Sequence, residues 1–189
     1  MDDEGSLAFR LDCGATWLNL LATSGRTFSD RSVERIATAE RLREWLERCE
    51  LAPVTPPTAR DVAAARRLRE ALRALAMATV TGDRPPAEVA ARLEEFLAGR
   101  PDPVRLRAAE RLSREPPPDA GAALARIARQ AVDHLTGPER GTLALCGEHD
   151  CRAVFANPGG RRRWCPAPAC ASRGRVRALR ARRKAAEEG

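Results

Sequence analysis

The chain of 189 residues contains a single lysine, Lys184, and no tyrosine, although it is rich in arginine. Walker-type phosphate loops need a lysine inside a glycine-rich turn, and Schiff-base enzymes need one in a pocket. Lys184 lies among arginines near the end of the sequence and suits neither role. His134 and His149 are the only histidines, which leaves few groups for acid–base catalysis. We therefore expect a protein that is not an enzyme.

Long apolar runs are also missing. The most apolar stretch, 13–25, falls short of the ~20 residues of a membrane span, and it contains Thr, Ser and Asn. The first residues are acidic, whereas a signal peptide begins with basic residues. We expect no membrane segment, no export and a cytoplasmic location. In a reducing cytosol, six cysteines indicate metal binding rather than disulfides.

The net positive charge of the chain is confined to its last quarter. Residues 141–189 hold eleven cations against four acids, a net +7, whereas residues 1–140 hold 22 of each. Between 161 and 184 there are ten cations and no acid. This asymmetry is typical of a nucleic-acid contact surface joined to a neutral globular domain. An arginine-rich genome would explain the choice of arginine over lysine, but it would not explain the missing acids.

The first 140 residues predict a mainly α domain over 1–137, because apolar residues recur at helical spacing between prolines and capping residues. About five helices are expected, over 11–21, 39–49, 59–79, 85–98 and 119–135. Residues 104–108 alternate instead and predict a short strand or hairpin that extends up to Pro116.

Most polar residues of this helical part have structural interpretations. Cys13 and Cys49 lie outside any metal-like spacing and are expected to be buried thiols. His134 falls in the last turn of a helix, where a cation suits the helix dipole. Asn19 interrupts an apolar run, so its buried amide needs partners. It either ties the first helix to a neighbouring loop or lines a small-molecule pocket.

The strongest motif is a quartet of cysteines with the spacing C-x4-C-x13-C-x4-C. Two cysteine pairs, each closed by a short loop, can converge on one tetrahedral zinc ion with no open coordination position. The predicted ligands of this single structural Zn²⁺ are Cys146, Cys151, Cys165 and Cys170. His149, inside the first pair, is the alternative ligand.

The residues around the quartet predict a treble-clef-like module over 138–189. Residues 152–156 read as a strand, 157–160 as a turn and 161–164 as the return strand, with a helix starting near the fourth cysteine. Val176 and Leu179 on that helix are expected to pack on Phe155 and Trp164.

The C-terminal helix is predicted to present a basic stripe for nucleic acid. At 100° per residue its cations four or three positions apart share one face, and the arginines of the return strand extend that surface to phosphates. The predicted nucleic-acid contacts are Arg161, Arg162, Arg163, Arg173, Arg177, Arg180 and Lys184.

These motifs resemble the CGNR zinc finger that follows the helical ABATE domain in bacterial stress-induced transcription regulators. The finger-like segments are LCGEHDCR (145–152), RRWC (162–165) and CASR (170–173), and the ABATE-like ones are LNL (18–20), LREWL (42–46) and LREALR (68–73). Ala171 and Ser172 replace the Gly-Asn of the name-giving motif, and Leu20 replaces a threonine. The resemblance implies DNA as the partner and transcription regulation as the function.

Two functional hypotheses follow. The first is a zinc-binding, DNA-binding regulator whose helical domain senses a small-molecule effector, with Asn19 as a candidate contact, or mediates assembly. The second is a basic interaction module that binds RNA or an acidic protein without operator specificity. The sequence leaves the oligomeric state open, a homodimer included.

Overall fold

A computed structural model describes residues 7–25, 32–148 and 150–187 of the chain. Within this part lie six α-helices, one 3-10 helix and three two-stranded hairpins. The helices are α1 (Thr16–Leu21), α2 (Ala39–Arg48), α3 (Ala59–Thr81), α4 (Ala87–Ala98), α5 (Ala120–Thr136) and α6 (Pro168–Glu187). The strands are β1 (Ser24–Gly25), β2 (Val33–Glu34), β3 (Leu106–Ala108), β4 (Leu112–Arg114), β5 (Leu143–Leu145) and β6 (Val154–Ala156).

The helix boundaries follow the capping residues of the sequence. The Thr38 side chain accepts a hydrogen bond from the Arg41 N–H at the start of α2, and the Asp119 carboxylate accepts one from the Ala122 N–H at the start of α5. At α3, the Thr58 N–H donates to the Asp61 carboxylate over 2.8 Å. Each of these bonds satisfies a backbone donor that the helix leaves open. The five helices expected before residue 138 are confirmed, together with the hairpin β3–β4.

The first helix is shorter than its apolar spacing predicted. It begins at Thr16 instead of near Leu11, and Leu11 is exposed. Gly14 has a φ of +98°, which ends any helical path through it, and a Cβ at this position would lie 2.6 Å from the Cβ of Ala156. The glycine thus allows the chain to pass close to β6 before α1 begins.

One apolar core runs through the described residues, with α3 at its centre. This helix packs against α1, α2, α4, α5 and the strands β5 and β6. Trp17, Trp45 and Phe155 are the largest fully buried side chains. Phe155 comes from the cysteine-rich segment, so the β5–β6 hairpin is packed into the helical core.

The cysteine-rich segment pairs its strands differently from the prediction. The turn at Asn157 is present, because the Gly160 N–H donates to its carbonyl over 2.8 Å, but residues 161–164 form no strand. Instead β6 pairs with β5, which precedes the first cysteine. On its other edge the Ala156 N–H donates to the Cys13 carbonyl over 2.9 Å. Both edges of β6 are therefore occupied, and no edge is left for a return strand.

Candidate metal centre and basic surface

Four thiols converge between the β5–β6 hairpin and the first turn of α6. The Sγ atoms of Cys146, Cys151, Cys165 and Cys170 all lie within 4.8 Å of one another. Sγ of Cys165 is 3.8 Å from that of Cys151 and 3.6 Å from that of Cys170. A tetrahedron with Zn–S bonds of ~2.3 Å has edges of ~3.8 Å. The spacing of the thiols therefore fits a zinc ion at the centre of the cluster.

The four thiols perturb one another's ionisation. The side-chain hydrogen bond with Cys146 lowers the pKa of Cys165, and the hydrogen bond between Cys151 and Cys146 raises the pKa of Cys151. Four adjacent thiolates repel one another. A divalent metal supplies the charge that allows all four to ionise, and it then cross-links the two cysteine pairs.

Local backbone bonds hold each cysteine pair in place. In the first loop the Cys151 N–H donates to the Glu148 carbonyl over 3.0 Å. In the second, Cys170 N–H donates to the Ala167 carbonyl over 3.0 Å. The two loops are joined by a bond of 3.0 Å from the Gly147 N–H to the Arg163 carbonyl. The segment after the turn therefore serves as the link between the two pairs.

Donors from three parts of the chain surround the sulfur atoms. The Cys165 N–H lies 3.3 Å from the Cys146 Sγ. Arg10, before α1, places Nη1 3.5 Å from the Cys165 Sγ, and Arg173 on α6 places Nη2 3.9 Å from the Cys170 Sγ. A zinc ion with four thiolates carries a formal charge of about −2, which these guanidinium groups offset. Sequence reasoning missed Arg10, because the contact spans 155 residues.

The second cysteine pair is braced by Trp164 against α6. A Cβ at Gly174 would lie 2.3 Å from the Trp164 Nε1 and 2.6 Å from Cε2, so only glycine admits the indole at this point of the helix. Arg163 covers the indole on another side, with its guanidinium carbon 5.5 Å from the ring centroid. Trp164 thereby fixes the position of α6 relative to the metal centre.

Two acids of the first cysteine loop engage the basic helix. Glu148 is 1% exposed, and its Oε1 lies 2.9 Å from Nη1 of Arg177 and 3.8 Å from Nε of Arg173. Arg177 also bonds Asp150 over 3.0 Å. In the sequence, both acids contribute to the charge balance, and no contact of theirs with the helix is predicted. The sequence does contain a signal for this contact. Glu148 and Asp150 are the only acids between 141 and 186, and arginines recur four positions apart on the helix that they face.

These contacts divide the predicted basic stripe into two groups. Arg173 and Arg177 face the acidic loop, whereas Arg161, Arg162 and Arg163 are exposed beside the metal centre and Arg180 is exposed one turn further along α6. Among the described residues, the side chains of Arg161, Arg162 and Arg180 have no ion-pair or hydrogen-bond partner. The Lys184 side chain and His149 lie outside the described part of the chain.

Val176 and Leu179 do not pack on Phe155 and Trp164, so this prediction was wrong. They are 45% and 51% exposed on α6. Phe155 is fully buried in the helical core and therefore does not lie beside α6. Trp164 packs against α6 at Gly174 instead. The helix therefore presents two apolar side chains to solvent between its arginines.

Sequence comparison places these features in known families. Residues 14–138 match the sequence model of the ABATE family, which is described as "Putative stress-induced transcription regulator". The chain belongs to the ABATE family. Residues 142–183 match the model of the CGNR zinc finger. The finger match and the clustered thiols identify one structural zinc ion. No protein of curated function matches the chain.

Neither matched family is described as enzymatic. The Asn19 amide oxygen accepts the Cys13 N–H over 3.0 Å and ties α1 to the preceding loop. Cys13 is buried and Cys49 half-buried, and burial raises the pKa of both thiols to about 12. In the described part of the chain, every helix is too short or too polar to cross a bilayer.

His134 joins two helices of the ABATE segment. The Trp17 indole N–H donates to its Nδ1 over 3.2 Å. Nε2 of the same ring lies 3.5 Å from the Thr142 hydroxyl. The side chain of His134 thus forms a buried link between α1 and α5.

Proposed function

We propose that the chain is a zinc-dependent, DNA-binding transcription regulator of the cytoplasm, with the helical segment 1–137 as its sensor or assembly domain and 138–189 as its finger. In this proposal the four clustered cysteines are the zinc ligands. The observation that carries the proposal is the exposed arginine surface at 161–163 and Arg180, which lies beside the metal centre and faces no carboxylate among the described residues.

The contacts of the individual arginines suggest different roles on DNA. Arg161, Arg162 and Arg180 are available for phosphates, because no described carboxylate holds them. Arg177 is held by Glu148 and Asp150 and acts mainly by orienting α6. Phosphate contacts of this kind set register and affinity, whereas base contacts set the sequence preference.

The proposal is tested by fluorescence anisotropy with a labelled duplex and zinc-loaded protein at several salt concentrations. The double variant Arg162→Gln/Arg180→Gln is expected to lose about tenfold in affinity and to reduce the salt slope by about two, since each lost phosphate contact contributes about one. Arg107→Gln, an exposed arginine on β3, is the matched control and should bind as the wild type does. Equal binding by the double variant and the control would overturn the proposal.

An acidic protein partner is the second candidate, and one observation favours it. Val176 and Leu179 are exposed on the same helix as the arginines, and apolar side chains in the middle of a basic surface are typical of a protein interface. Leu179→Gln distinguishes the two candidates. It should leave a phosphate-dominated DNA affinity unchanged, whereas it should weaken a protein complex strongly. Selection from random duplexes with enrichment of one sequence would favour DNA.

A further inference from the structure

A cavity of about 830 Å³ lies between the N-terminal segment at 8–12, the β1–β2 hairpin and the first turn of α6. Its wall includes Arg73 of α3 on one side and Cys151, Cys170 and Arg173 of the zinc finger on the other. Small-molecule sites in proteins have volumes of about 300–1,000 Å³ and often lie between structural units. The cavity is therefore large enough for a ligand that would touch both the helical part and the finger.

The polar wall of this cavity is predominantly cationic. Asp12 is the one acid among its described lining residues, and it is already paired with Arg10 over 2.9 Å. The arginines in the lining are Arg10, Arg35, Arg73 and Arg173. Arg10 and Arg173 each approach a thiol of the metal centre, so part of their charge is offset there. On the helical side the cavity is lined by Arg73 and by Arg35, whose guanidinium donates to the Ala8 and Ala22 carbonyls.

Arg73 shares Glu70, its ion-pair partner among the described residues, with Arg69. Its side chain is 13% exposed, its Nη2 donates to the Leu21 carbonyl over 2.9 Å, and its Nε lies 3.2 Å from Glu70, which is half exposed. Burial lowers the pKa of Arg73, and the attraction of Glu70 does not fully restore it. On the opposite wall, Nε of Arg173 is buried, lies 3.8 Å from Oε1 of Glu148 and donates to no hydrogen-bond acceptor among the described residues. Both groups would gain from an anion in the cavity.

Apolar side chains form a large part of the remaining lining. Phe9, Leu11, Leu21, Val33 and Val154 line the same space. A bare inorganic ion would leave this surface unfilled, whereas an organic molecule would cover it and lose contact with water. The lining thus combines a cationic wall with an apolar one.

We propose that this cavity binds a small organic anion, a carboxylate or phosphate ester with an apolar body, held by Arg73 and Arg173. The proposal rests on the sensor role given above and names the class of effector. Arg173 lies on α6 and also contacts the Cys170 Sγ. A ligand bound by Arg173 would therefore act directly on the helix that carries the basic surface. Asp12 opposes the anion and limits its affinity.

Isothermal titration calorimetry on the zinc-loaded full chain tests this proposal with octanoate and octyl phosphate in a phosphate-free buffer. Octanol, with the same apolar body and no charge, separates anion recognition from apolar binding. We expect saturable binding of at least one anion, with octanol at least about tenfold weaker, which is the loss of one charge-assisted contact. The stronger of the two anions identifies the head group.

Two variants are expected to change the anion affinity in opposite directions. A folding defect could only weaken binding, so it cannot explain both results. Arg73→Gln should weaken anion binding about tenfold, but it also removes a bond to the Leu21 carbonyl. Asp12→Asn should tighten anion binding about threefold, because a half-exposed opposing charge is removed. Arg107→Gln serves as the distant control. Zinc content is measured for each protein.

Several outcomes would overturn the proposal. They are no saturable binding of either anion to the wild type, equal binding of octanol, or an anion affinity that both cavity variants leave unchanged. The DNA measurements described above contain no anionic ligand. Loss of DNA binding in them would reject the DNA proposal alone, and absence of anion binding here would reject the effector site alone.

Discussion

The helical region and the zinc finger use arginine in two different ways. In the helical region a carboxylate meets the buried guanidinium: Arg69 is bonded to both oxygens of Glu34 at 2.9 and 2.7 Å, and Arg126 to both oxygens of Asp102 at 3.0 and 3.1 Å. In the finger, Arg161, Arg162 and Arg180 have no such partner among the described residues. The buried arginines Arg69 and Arg126 of the helical region are thus paired within the protein, whereas these three exposed arginines of the finger face no carboxylate among the described residues.

The two regions also differ in what holds them together. The helical region buries tryptophans, leucines and small alanines in one core, which supplies its own folding free energy. The finger contributes Val154 and Phe155 to that core, while α6 carries two exposed apolar residues and many exposed arginines. The position of α6 therefore depends on the metal centre, on Trp164 and on the acidic loop. Substitutions in the metal centre, at Trp164 or in the acidic loop should therefore affect the finger and the helical region to different extents.

Loss of zinc is expected to have the largest effect. Cys165→Ser should abolish zinc binding, whose free energy is about 10–16 kcal/mol in isolated fingers, and should remove amide-exchange protection from 146–170 and α6. The helices α3 and α5 should keep their protection, because their core is apolar. Hydrogen exchange with mass spectrometry measures both regions in one experiment.

The matched control for this variant is Cys49→Ser. Cys49 is half-buried and lies outside the cluster, so its zinc content and finger protection should equal those of the wild type. Unchanged protection of 146–170 in Cys165→Ser would contradict the dependence of the finger on zinc. Equal loss in α3 and α5 would show that the two regions unfold as one unit.

Removing Glu34, the partly exposed carboxylate that pairs with the buried Arg69, should have the next largest effect. Glu34→Gln leaves Arg69, whose side chain is 6% exposed, without its bidentate partner. The cost in unfolding free energy should be about 3 kcal/mol, as for other buried ion pairs that lose one member. Urea unfolding followed by circular dichroism measures it. Glu47→Gln, in the exposed pair with Arg43, should cost no more than about 0.5 kcal/mol.

The destabilisation caused by Glu34→Gln should depend on pH. Burial raises the pKa of Glu34, but the hydrogen bond and charge of Arg69 outweigh burial and lower it below its ordinary value of 4.5. A carboxyl whose folded pKa is lowered stabilises the protein above the unfolded pKa and ceases to do so as pH falls through the folded pKa. The difference between wild type and Glu34→Gln should therefore shrink below about pH 4.5. A constant difference down to pH 3 would contradict this account.

How far the sequence predicted this structure depends on the range of the interactions concerned. Local signals sufficed for the caps at Thr38 and Asp119 and for the cysteine spacing, because each of these involves residues a few positions apart. The pairing of β6 with β5 was missed, since the choice depends on Cys13, which occupies the other edge of β6.

The candidate site shows the same division. The four cysteines could be named from their spacing, whereas Arg10 and Glu148 could not be given roles. Arg10 reaches the sulfur of Cys165 across 155 positions, and Glu148 is buried only because α6 folds back over its loop. Val176 and Leu179 looked like core residues on helical spacing alone, but Phe155 had been taken up by the helical core.

Replacing Gly174 with alanine should destabilise the finger without touching a zinc ligand or a charge. The new Cβ would meet the Trp164 indole at 2.3 Å, so the ring or the helix must move. Overpacking of this kind costs about 1–3 kcal/mol. We expect faster zinc loss to a chelator and a shifted tryptophan emission. Gly141→Ala, where nothing lies within 4 Å of the added carbon, is the control and should behave as the wild type does.

The smallest expected effect comes from replacing Glu148, which lies beside Arg173 and Arg177 of the same finger. Glu148→Gln removes a buried negative charge from beside Arg173 and Arg177, and Arg177 is half exposed, so water can solvate it. The basic surface then gains one unit of effective charge. DNA affinity should rise about two- to threefold at low salt and return to the wild-type value at high salt, where the added charge is screened.

Glu110→Gln makes the same charge change at an exposed position of the helical region and should leave DNA affinity unchanged. If both variants raise affinity equally, net charge alone governs binding, and the contrast between the two regions carries no functional meaning. If Glu148→Gln lowers DNA affinity while zinc content is retained, the main effect of the acidic loop is to orient α6 for DNA. Its neutralisation of the arginines is then the smaller effect. In that case Asp150→Asn, which loosens the same arginine from the exposed side of the loop, should lower affinity as well.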